Sequence, residues 1–218
     1  MREERQFAAL PPLVGGILIG GASRRMGRPK ALLEWQGESF LERIAGSLAA
    51  VVPEVFLLGS GIVLPAGVAG LPVVADVAGV GGPLAGLLSA AAARPDAAWL
   101  VLTCDQPLLT PAALAWLIGE RRADRIAVLP RLTPGRLEPF PGIYEPGCRA
   151  ALAGLAMAAA AGPAGGASLQ PLGETAGVGV VPVPPALAAE FRGVNTLAEW
   201  TDLCRFAGRA TKESGSDD

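Results

Sequence analysis

Positively charged side chains cluster directly behind a glycine pair near the start of the chain. Arg24, Arg25, Arg28 and Lys30 supply four positive charges within seven residues, and Gly20–Gly21 precedes them. A backbone without Cβ atoms lets a ligand approach closely, and cations together with loop amides hold phosphate groups. The pattern indicates phosphate binding, but a surface turn with solvated charges shows the same local pattern.

Two carboxylates stand alone in apolar surroundings. Asp76 follows the predicted strand Val73–Ala75, and Asp105 follows the predicted strand Trp99–Thr103. Ligands of open α/β sheets bind outside the carboxyl ends of the strands. Because proteins hold Mg²⁺ with one or two carboxylates plus phosphate oxygens, Asp105 is predicted to bind this metal. Asp76 fits ligand contact and an Asx turn before its glycine loop equally well.

The pattern of apolar residues predicts the strands and helices that carry these side chains. The order strand, helix, strand, helix predicts βαβ units, a mostly parallel sheet and helices on both of its faces. Further predicted strands are Val14–Ile19, Val55–Leu58, Ile126–Leu129 and Val178–Val183, and predicted helices span about 39–51, 84–93, 110–121 and 148–161. Glu138–Tyr144 is predicted to be extended, at an edge or distorted, because Pro139 and Pro141 cannot donate to a ladder.

Two capping boxes mark helix starts. Ser39 with Glu42 predicts the start of the first helix, and Thr196 with Glu199 predicts a terminal helix to about Phe206. In each pair the two side chains satisfy each other's free backbone N–H groups.

Composition limits the classes of function. The chain has 218 residues, of which 51% are hydrophobic and 17% charged, which favours one globular domain over residues 1–208, followed by a disordered tail over 209–218. A net charge of −2 gives no overall basic field for nucleic acid. The absence of histidine excludes histidine triads, metal sites and bases. Without a signal-peptide pattern or a membrane-length apolar run, we expect a cytoplasmic protein with no membrane contact.

The glycine loop matches neither the P-loop nor the dinucleotide fingerprint, because Gly20 and Gly21 are adjacent and Gly27 is followed by Arg28. It resembles the signature of the Rossmann-like nucleotidyltransferases, Leu-Ala-Gly-Gly, a few residues, Arg-Met-Gly, then Lys. The matching positions are Leu18, Gly20, Gly21, Arg25, Met26, Gly27 and Lys30. Ile19 stands where the family usually has alanine.

Further segments resemble one branch of that family, the MobA-like molybdenum cofactor guanylyltransferases. Cys104–Pro107 resembles the family's Asp-x-Pro element, and Gly82–Gly86 resembles the branch's Gly-Pro-Leu-Ala-Gly element. Glu138–Tyr144 and Val194–Thr196 resemble its Pro-containing strand and its Val-Asn-Thr segment. The ordered set runs from about residue 13 to 205, and Glu138 stands where the branch more often has a neutral or basic residue.

This resemblance implies a three-layer α/β/α fold and a reaction. GTP and molybdopterin would be the substrates, with GMP transferred to the terminal phosphate of molybdopterin, pyrophosphate released and Mg²⁺ as cofactor. Catalytic roles would fall to Lys30, Arg25 and Asp105, nucleotide binding to Leu18, Ile19, Gly20, Gly21, Lys30, Asp76, Gly82 and Asp105, metal binding to Asp105, and acceptor binding to Glu138 and Asn195. Transient contact with other molybdenum cofactor maturation proteins is also implied.

Three other functions are also compatible with the sequence. A cytidylyltransferase that uses CTP shares the Asp105–Leu108 pattern, although Gly82–Gly86 argues against it. Another small-molecule nucleotidyltransferase is possible, although the chain lacks the long extra domain often found in the sugar-phosphate enzymes. A nucleotide-binding regulatory protein that has lost catalysis is a third possibility, but the presence of both Lys30 and Asp105 argues against it, because a pure binding module has no need of the metal carboxylate.

Overall fold

The computed structural model describes residues 9–20, 29–161, 168–196 and 198–202. Within those ranges a central sheet lies between two layers of helices. The strands in chain order are β1 (Leu13–Leu18), β2 (Glu34–Trp35), β3 (Glu38–Ser39), β4 (Val55–Leu58), β5 (Val73–Val74), β6 (Ala98–Thr103), β7 (Ala127–Arg131), β8 (Gly142–Tyr144) and β9 (Val178–Pro182). The α-helices are α1 (Phe40–Ala49), α2 (Pro83–Ala93), α3 (Pro111–Gly119) and α4 (Arg149–Ala161).

Seven of these strands form the main sheet in the order β5-β4-β1-β6-β8-β7-β9. The pairs β5–β4, β4–β1, β1–β6 and β7–β9 are parallel, whereas β8 is antiparallel to both β6 and β7. The prediction of a mostly parallel sheet is therefore confirmed. β2 and β3 form a separate antiparallel hairpin whose turn contains Gln36 and Gly37.

Side chains that alternate along the strands build two cores, one on each face of the sheet. Ile17, Leu57 and Leu100 face the layer formed by α1 and α3. Leu18, Leu58 and Trp99 face the layer formed by α2 and α4. These strands are apolar on both faces because both faces are covered, as the sequence pattern indicates for a parallel sheet.

The prediction that Glu138–Tyr144 lies at an edge of the sheet is wrong. The segment does not form an edge, because β8 lies between β6 and β7. Pro139 and Pro141 precede the three residues of β8, so no N–H group of the ladder is lost. Gly142 allows the chain to turn into the strand, since a Cβ atom there would collide with the Pro139 carbonyl oxygen.

Both predicted capping boxes are present. Ser39 Oγ accepts a hydrogen bond of 3.2 Å from Glu42 N, and Glu42 Oε2 accepts one of 3.2 Å from Ser39 N. Thr196 Oγ1 accepts from Glu199 N at 3.2 Å, and Glu199 Oε2 accepts from Thr196 N at 3.1 Å. Residues 198–202 are helical, while the predicted helix end at Phe206 and the tail 209–218 lie outside the described residues. No described helix is long and apolar enough to span a membrane.

Candidate functional site

A crevice of about 360 Å³ opens where β1, β4 and β6 end. Because these strands are parallel, their carboxyl ends meet at one edge of the sheet. The residues that line it are Leu18, Ile19, Gly20, Pro29, Lys30, Ala31, Leu58, Asp76, Gly82, Pro83, Thr103, Cys104 and Asp105. The crevice therefore brings together residues from six separate segments of the chain.

Lys30 contacts Asp105, which also lines the crevice, and Asn195, which lies outside the lining set. Its Nζ atom lies 3.4 Å from Asp105 Oδ2 and donates a hydrogen bond of 2.7 Å to Asn195 Oδ1. The side chains of Lys30 and Asp105 are only 18% and 24% exposed. A charged pair at this depth is screened less by solvent than a surface pair, and it keeps one face toward the crevice.

Asp105 is held in one orientation by its neighbours. Thr103 Oγ1 donates to Asp105 Oδ1 at 2.5 Å, so the other carboxylate oxygen is turned toward Lys30. The Asp105 carbonyl oxygen accepts a hydrogen bond of 2.6 Å from Val194 N. A Cβ atom on Gly193 would lie 3.5 Å from Asp105 Oδ2, so the segment before Asn195 passes directly over the carboxylate.

Asp76 lies on the opposite side of the crevice. Its loop is anchored by Ser89, whose hydroxyl accepts from Val77 N at 2.8 Å and donates to Ala85 O at 2.9 Å. Cβ atoms placed on Gly20 and Gly59 would lie 3.7 Å and 3.5 Å from Asp76 Oδ2. The carboxylate therefore faces Gly20, beyond the end of β1, and Gly59, which follows β4.

The start of α2 also borders the crevice. Gly82, with φ +70°, occupies the N-cap position, and Pro83 is the first helical residue. The first N–H groups of a helix carry partial positive charge and favour anions. This end of α2 therefore adds an element that favours anions to the crevice that Lys30 also lines.

Leu18 and Ile19 point to opposite faces of the sheet. Leu18 packs with the core of α2, and Ile19, which is 4% exposed, packs with the core of α1 and α3. A Cβ atom on Gly86 would overlap Leu18 Cδ2, so glycine at this position lets α2 close onto the crevice wall. The Ile19 side chain, which is larger than the alanine usual in the resembled family, therefore lies mainly in the core.

Two ionisable side chains near Asp105 have displaced pKa values. Burial, with a contribution from the Asp105 charge, raises the pKa of the Cys104 thiol to about 12, so it stays protonated at neutral pH. Burial raises the pKa of Glu138; the charge of Asp105 adds to this and that of Arg136 opposes it. Glu138 is therefore close enough to Asp105 for their charges to interact.

The oxygen donors fit a hard divalent cation. Asp105 Oδ2 and Asn195 Oδ1 both face the Lys30 ammonium group, so two oxygen atoms already converge on one positive charge. Within the described residues, no group of three or more His, Cys, Asp and Glu side chains could hold a metal. A metal here would need further oxygen ligands from a substrate, as is usual for ions that bind with phosphates.

The structure brings most of the predicted site residues together. Leu18, Ile19, Gly20, Lys30, Asp76, Gly82 and Asp105 line one crevice, and Asn195 contacts Lys30. Glu138 is outside the lining set but lies within electrostatic range of Asp105. Gly21 and Arg25 lie outside the described residues.

Sequence reasoning missed several residues that shape the site. They are Thr103, Gly86, Ser89, Gly193 and Gln106. Gly86 belongs to a motif that the sequence offered, and Thr103 and Gln106 flank Asp105. Ser89 and Gly193 carry no local signal, because the contact of Ser89 with Val77 spans the loop before α2 and that of Gly193 with Asp105 joins residues far apart in the chain.

The sheet order, the helices on both faces and the crevice at the strand ends define a nucleotidyltransferase fold. The chain belongs to the MobA-like NTP transferase family, whose domain model matches residues 15–171.

Relatives and a solved structure agree with this placement. A probable molybdenum cofactor guanylyltransferase of Pelotomaculum thermopropionicum is 38% identical over 138 residues, which are 62% of this chain and 64% of that protein. A molybdenum cofactor guanylyltransferase of Xanthomonas euvesicatoria is 33% identical over 193 residues, 88% of this chain and 94% of that protein. The structure of molybdopterin-guanine dinucleotide biosynthesis protein A from Archaeoglobus fulgidus superposes with a TM-score of 0.69 at 19% identity, covering 89% of this chain and 98% of that one.

Proposed function

We propose that this protein transfers GMP from GTP to the terminal phosphate of molybdopterin and releases pyrophosphate. The observation that carries the proposal is the meeting of Lys30, Asp105 and Asn195 beside a crevice at the strand ends. The family match supports nucleotidyl transfer, and the names of the relatives support guanylyl transfer to this cofactor.

The nucleotide would lie between the glycine loop and α2. Gly20 and Gly82 offer backbone without a Cβ atom, and the start of α2 presents its positive end to phosphate. Asp76, on the same side, would accept hydrogen bonds from N–H or O–H groups of the nucleoside. Leu18 and the small exposed part of Ile19 would form the apolar wall, and Gly21 would add a further backbone amide.

Magnesium fits the oxygen donors described above. Asp105 would hold Mg²⁺, and the Asn195 amide oxygen lies beside it as a second donor. When bound, Mg²⁺ supplies Lewis-acid stabilisation of negative charge on phosphate oxygens.

Lys30 and Arg25 would neutralise the charge that develops on the triphosphate. Transfer of a nucleotidyl group places extra negative charge on bridging oxygens, so fixed cations lower the barrier. Lys30 is held at the crevice by Asp105 and Asn195, which keeps its ammonium group ready without a large rearrangement. The acceptor phosphate itself is the nucleophile, so the chain needs no covalent nucleophile and no histidine base.

The acceptor would approach from the side of Asn195 and Glu138. Both residues lie near Asp105, on segments distinct from those that line the nucleotide half. An acceptor phosphate placed there would reach the α-phosphate of GTP beside Lys30. Because the product is a labile cofactor, we further propose transient contact with other maturation proteins.

The test is a transfer assay with purified protein, Mg²⁺, molybdopterin and one nucleoside triphosphate at a time. The expected result is dinucleotide and pyrophosphate formation with GTP, little with CTP, ATP or UTP, and loss of product in Asp105→Asn. Asp96→Asn is the matched control, because Asp96 is exposed in the turn before β6, at the opposite end of that strand. Preference for CTP, or full activity of Asp105→Asn, would refute the proposal.

A further inference from the structure

Gln106 is a buried polar residue that has no direct role in the proposed reaction. It follows Asp105 directly and is only 5% exposed. A buried amide must satisfy its hydrogen-bonding groups, so its partners reveal what it holds in place.

The Gln106 side chain joins two distant segments. Nε2 donates to Phe140 O at 3.1 Å and to Phe191 O at 2.9 Å, so each of its two hydrogens has a carbonyl partner. These partners lie 34 and 85 residues further along the chain. One side chain next to Asp105 therefore fixes the backbone of both segments.

Both segments lead to the acceptor side of the site. Phe140 stands two residues after Glu138, and Phe191 stands four residues before Asn195. Phe191 is buried and packs edge-on against Trp116, with ring centroids 5.6 Å apart. The Val194 N–H closes the second segment onto the Asp105 carbonyl oxygen.

We infer that Gln106 is a positioning residue that sets Glu138 and Asn195 relative to Asp105 and thereby governs acceptor binding. The inference rests on the proposed function. The nucleotide half is built instead from β1, the loop that follows β5 and the start of α2. Loss of the Gln106 amide should therefore weaken acceptor binding more than nucleotide binding, which it reaches only through the contacts of Asn195 and Asp105 with Lys30.

The variant Gln106→Met tests this inference, because methionine keeps the side-chain volume and removes both donors. Because both segments lose a hydrogen bond, the KM for the acceptor should rise roughly tenfold. The dissociation constant for GTP, measured by calorimetry without acceptor, should change several-fold less than the acceptor KM. Amide hydrogen exchange should accelerate in residues 138–142 and 191–196, and stay unchanged in β1 and β6.

Gln170→Met is the matched control. Gln170 also makes two hydrogen bonds to the backbone, with Leu137 N at 3.1 Å and Leu137 O at 2.9 Å, but both go to one segment. The control loosens only the segment that contains Leu137 and Glu138, so exchange in residues 191–196 should not accelerate, and the rise in acceptor KM should be smaller than that of Gln106→Met. If Gln106→Met does not fold, Gln106→Asn serves for the same measurements, because its shorter amide cannot reach both carbonyls.

The outcomes separate this inference from the proposed function. A parallel loss of GTP binding, an unchanged acceptor KM, or the same effects in Gln170→Met would overturn the positioning role. If wild-type protein transfers no GMP to molybdopterin, the proposed function fails. Faster exchange confined to the two segments would then still support the contact made by Gln106.

Discussion

Lys30 and Asp105 are 75 residues apart in the chain, yet Lys30 Nζ lies 3.4 Å from Asp105 Oδ2. The contact forms because β1 and β6 are adjacent parallel strands whose exits lie side by side. An anionic and a cationic side chain thus face the same crevice, which allows one triphosphate to contact both.

Replacing either partner should abolish most of the transfer activity. Lys30→Met and Asp105→Asn each remove one preorganised charge, and loss of such a group lowers kcat by about a hundredfold or more. Steady-state kinetics measures the loss, and thermal unfolding shows that the fold persists. Near-normal turnover in either variant would contradict the proposed roles.

Gly86→Ala should damage the nucleotide half through packing. A Cβ atom at this position overlaps Leu18 Cδ2, so Leu18 must move in the crevice wall. Overpacking of this kind costs roughly 1–3 kcal/mol, which exceeds the gain that alanine brings to a helix. We expect a lower melting temperature and weaker GTP binding by calorimetry.

Gly154→Ala is the control for that substitution. Gly154 lies in α4, and a Cβ atom there meets nothing within 4 Å. The same change should stabilise the protein by about 0.5–1 kcal/mol through helix propensity. Equal effects of the two variants would show that Gly86 has no packing role.

The sequence predicted those features whose causes are local. The Ser39–Glu42 capping box depends on residues three apart, and the position of Asp105 depends on the strand just before it. The inner place of β8 could not be predicted, because it depends on pairing with β6 and β7, on either side of it in the sheet.

The same limit applied to the site. The motifs named Lys30 and Asn195, but their contact joins residues 165 apart and follows only from the path of the C-terminal segment. The two carbonyl partners of Gln106 are also distant in sequence, and backbone carbonyls carry no residue-type signal. Side chains that organise a site through the backbone therefore remained unrecognised until the fold was known.

Removal of one partner of the buried pair Arg121–Glu145 should be strongly destabilising. Arg121 Nε lies 2.7 Å from Glu145 Oε1, and Arg121 Nη2 donates to Pro11 O at 2.9 Å. Both side chains are less than a tenth exposed, so Arg121→Met leaves an uncompensated buried charge and should cost about 3–5 kcal/mol.

Chemical denaturation measures the loss in free energy of unfolding, and two further variants show its cause. Arg121→Met with Glu145→Gln should recover part of the loss, because no unpaired charge remains. Arg94→Met removes the partner of Glu54 in an exposed pair and should change the denaturation midpoint little. A small effect of Arg121→Met would show that the buried pair is dispensable.

Glu42 makes the stability of the α1 region depend on pH. Hydrogen bonds from the Ser39 side chain and backbone, and from Gly67 N, hold the pKa of Glu42 below its ordinary value. A depressed folded-state pKa means that the stabilisation is present at neutral pH and is lost as the pH falls through the folded pKa. The difference in melting temperature between wild type and Glu42→Gln should therefore be largest at neutral pH and shrink in acid. A constant difference across that range would contradict this assignment.

Glu138→Gln tests whether the negative charge opposes the acceptor. Burial raises the pKa of Glu138; Arg136, whose Nε atom lies 3.6 Å from Glu138 Oε1, opposes the shift and the Asp105 charge adds to it. Since the proposed acceptor carries a phosphate, a neutral side chain should lower acceptor KM several-fold at low salt. The effect should fade as ionic strength rises, because salt screens charges that are partly exposed to solvent.

Glu120→Gln is a matched loss of charge outside the site, since Glu120 pairs with Arg125 at 3.7 Å just after α3. It should leave acceptor KM unchanged at every salt concentration. A rise in KM for Glu138→Gln would show that Glu138 accepts hydrogen bonds from the acceptor instead of repelling its phosphate. The acceptor would then carry donor groups on the side that faces Glu138, and the carboxylate would select for them.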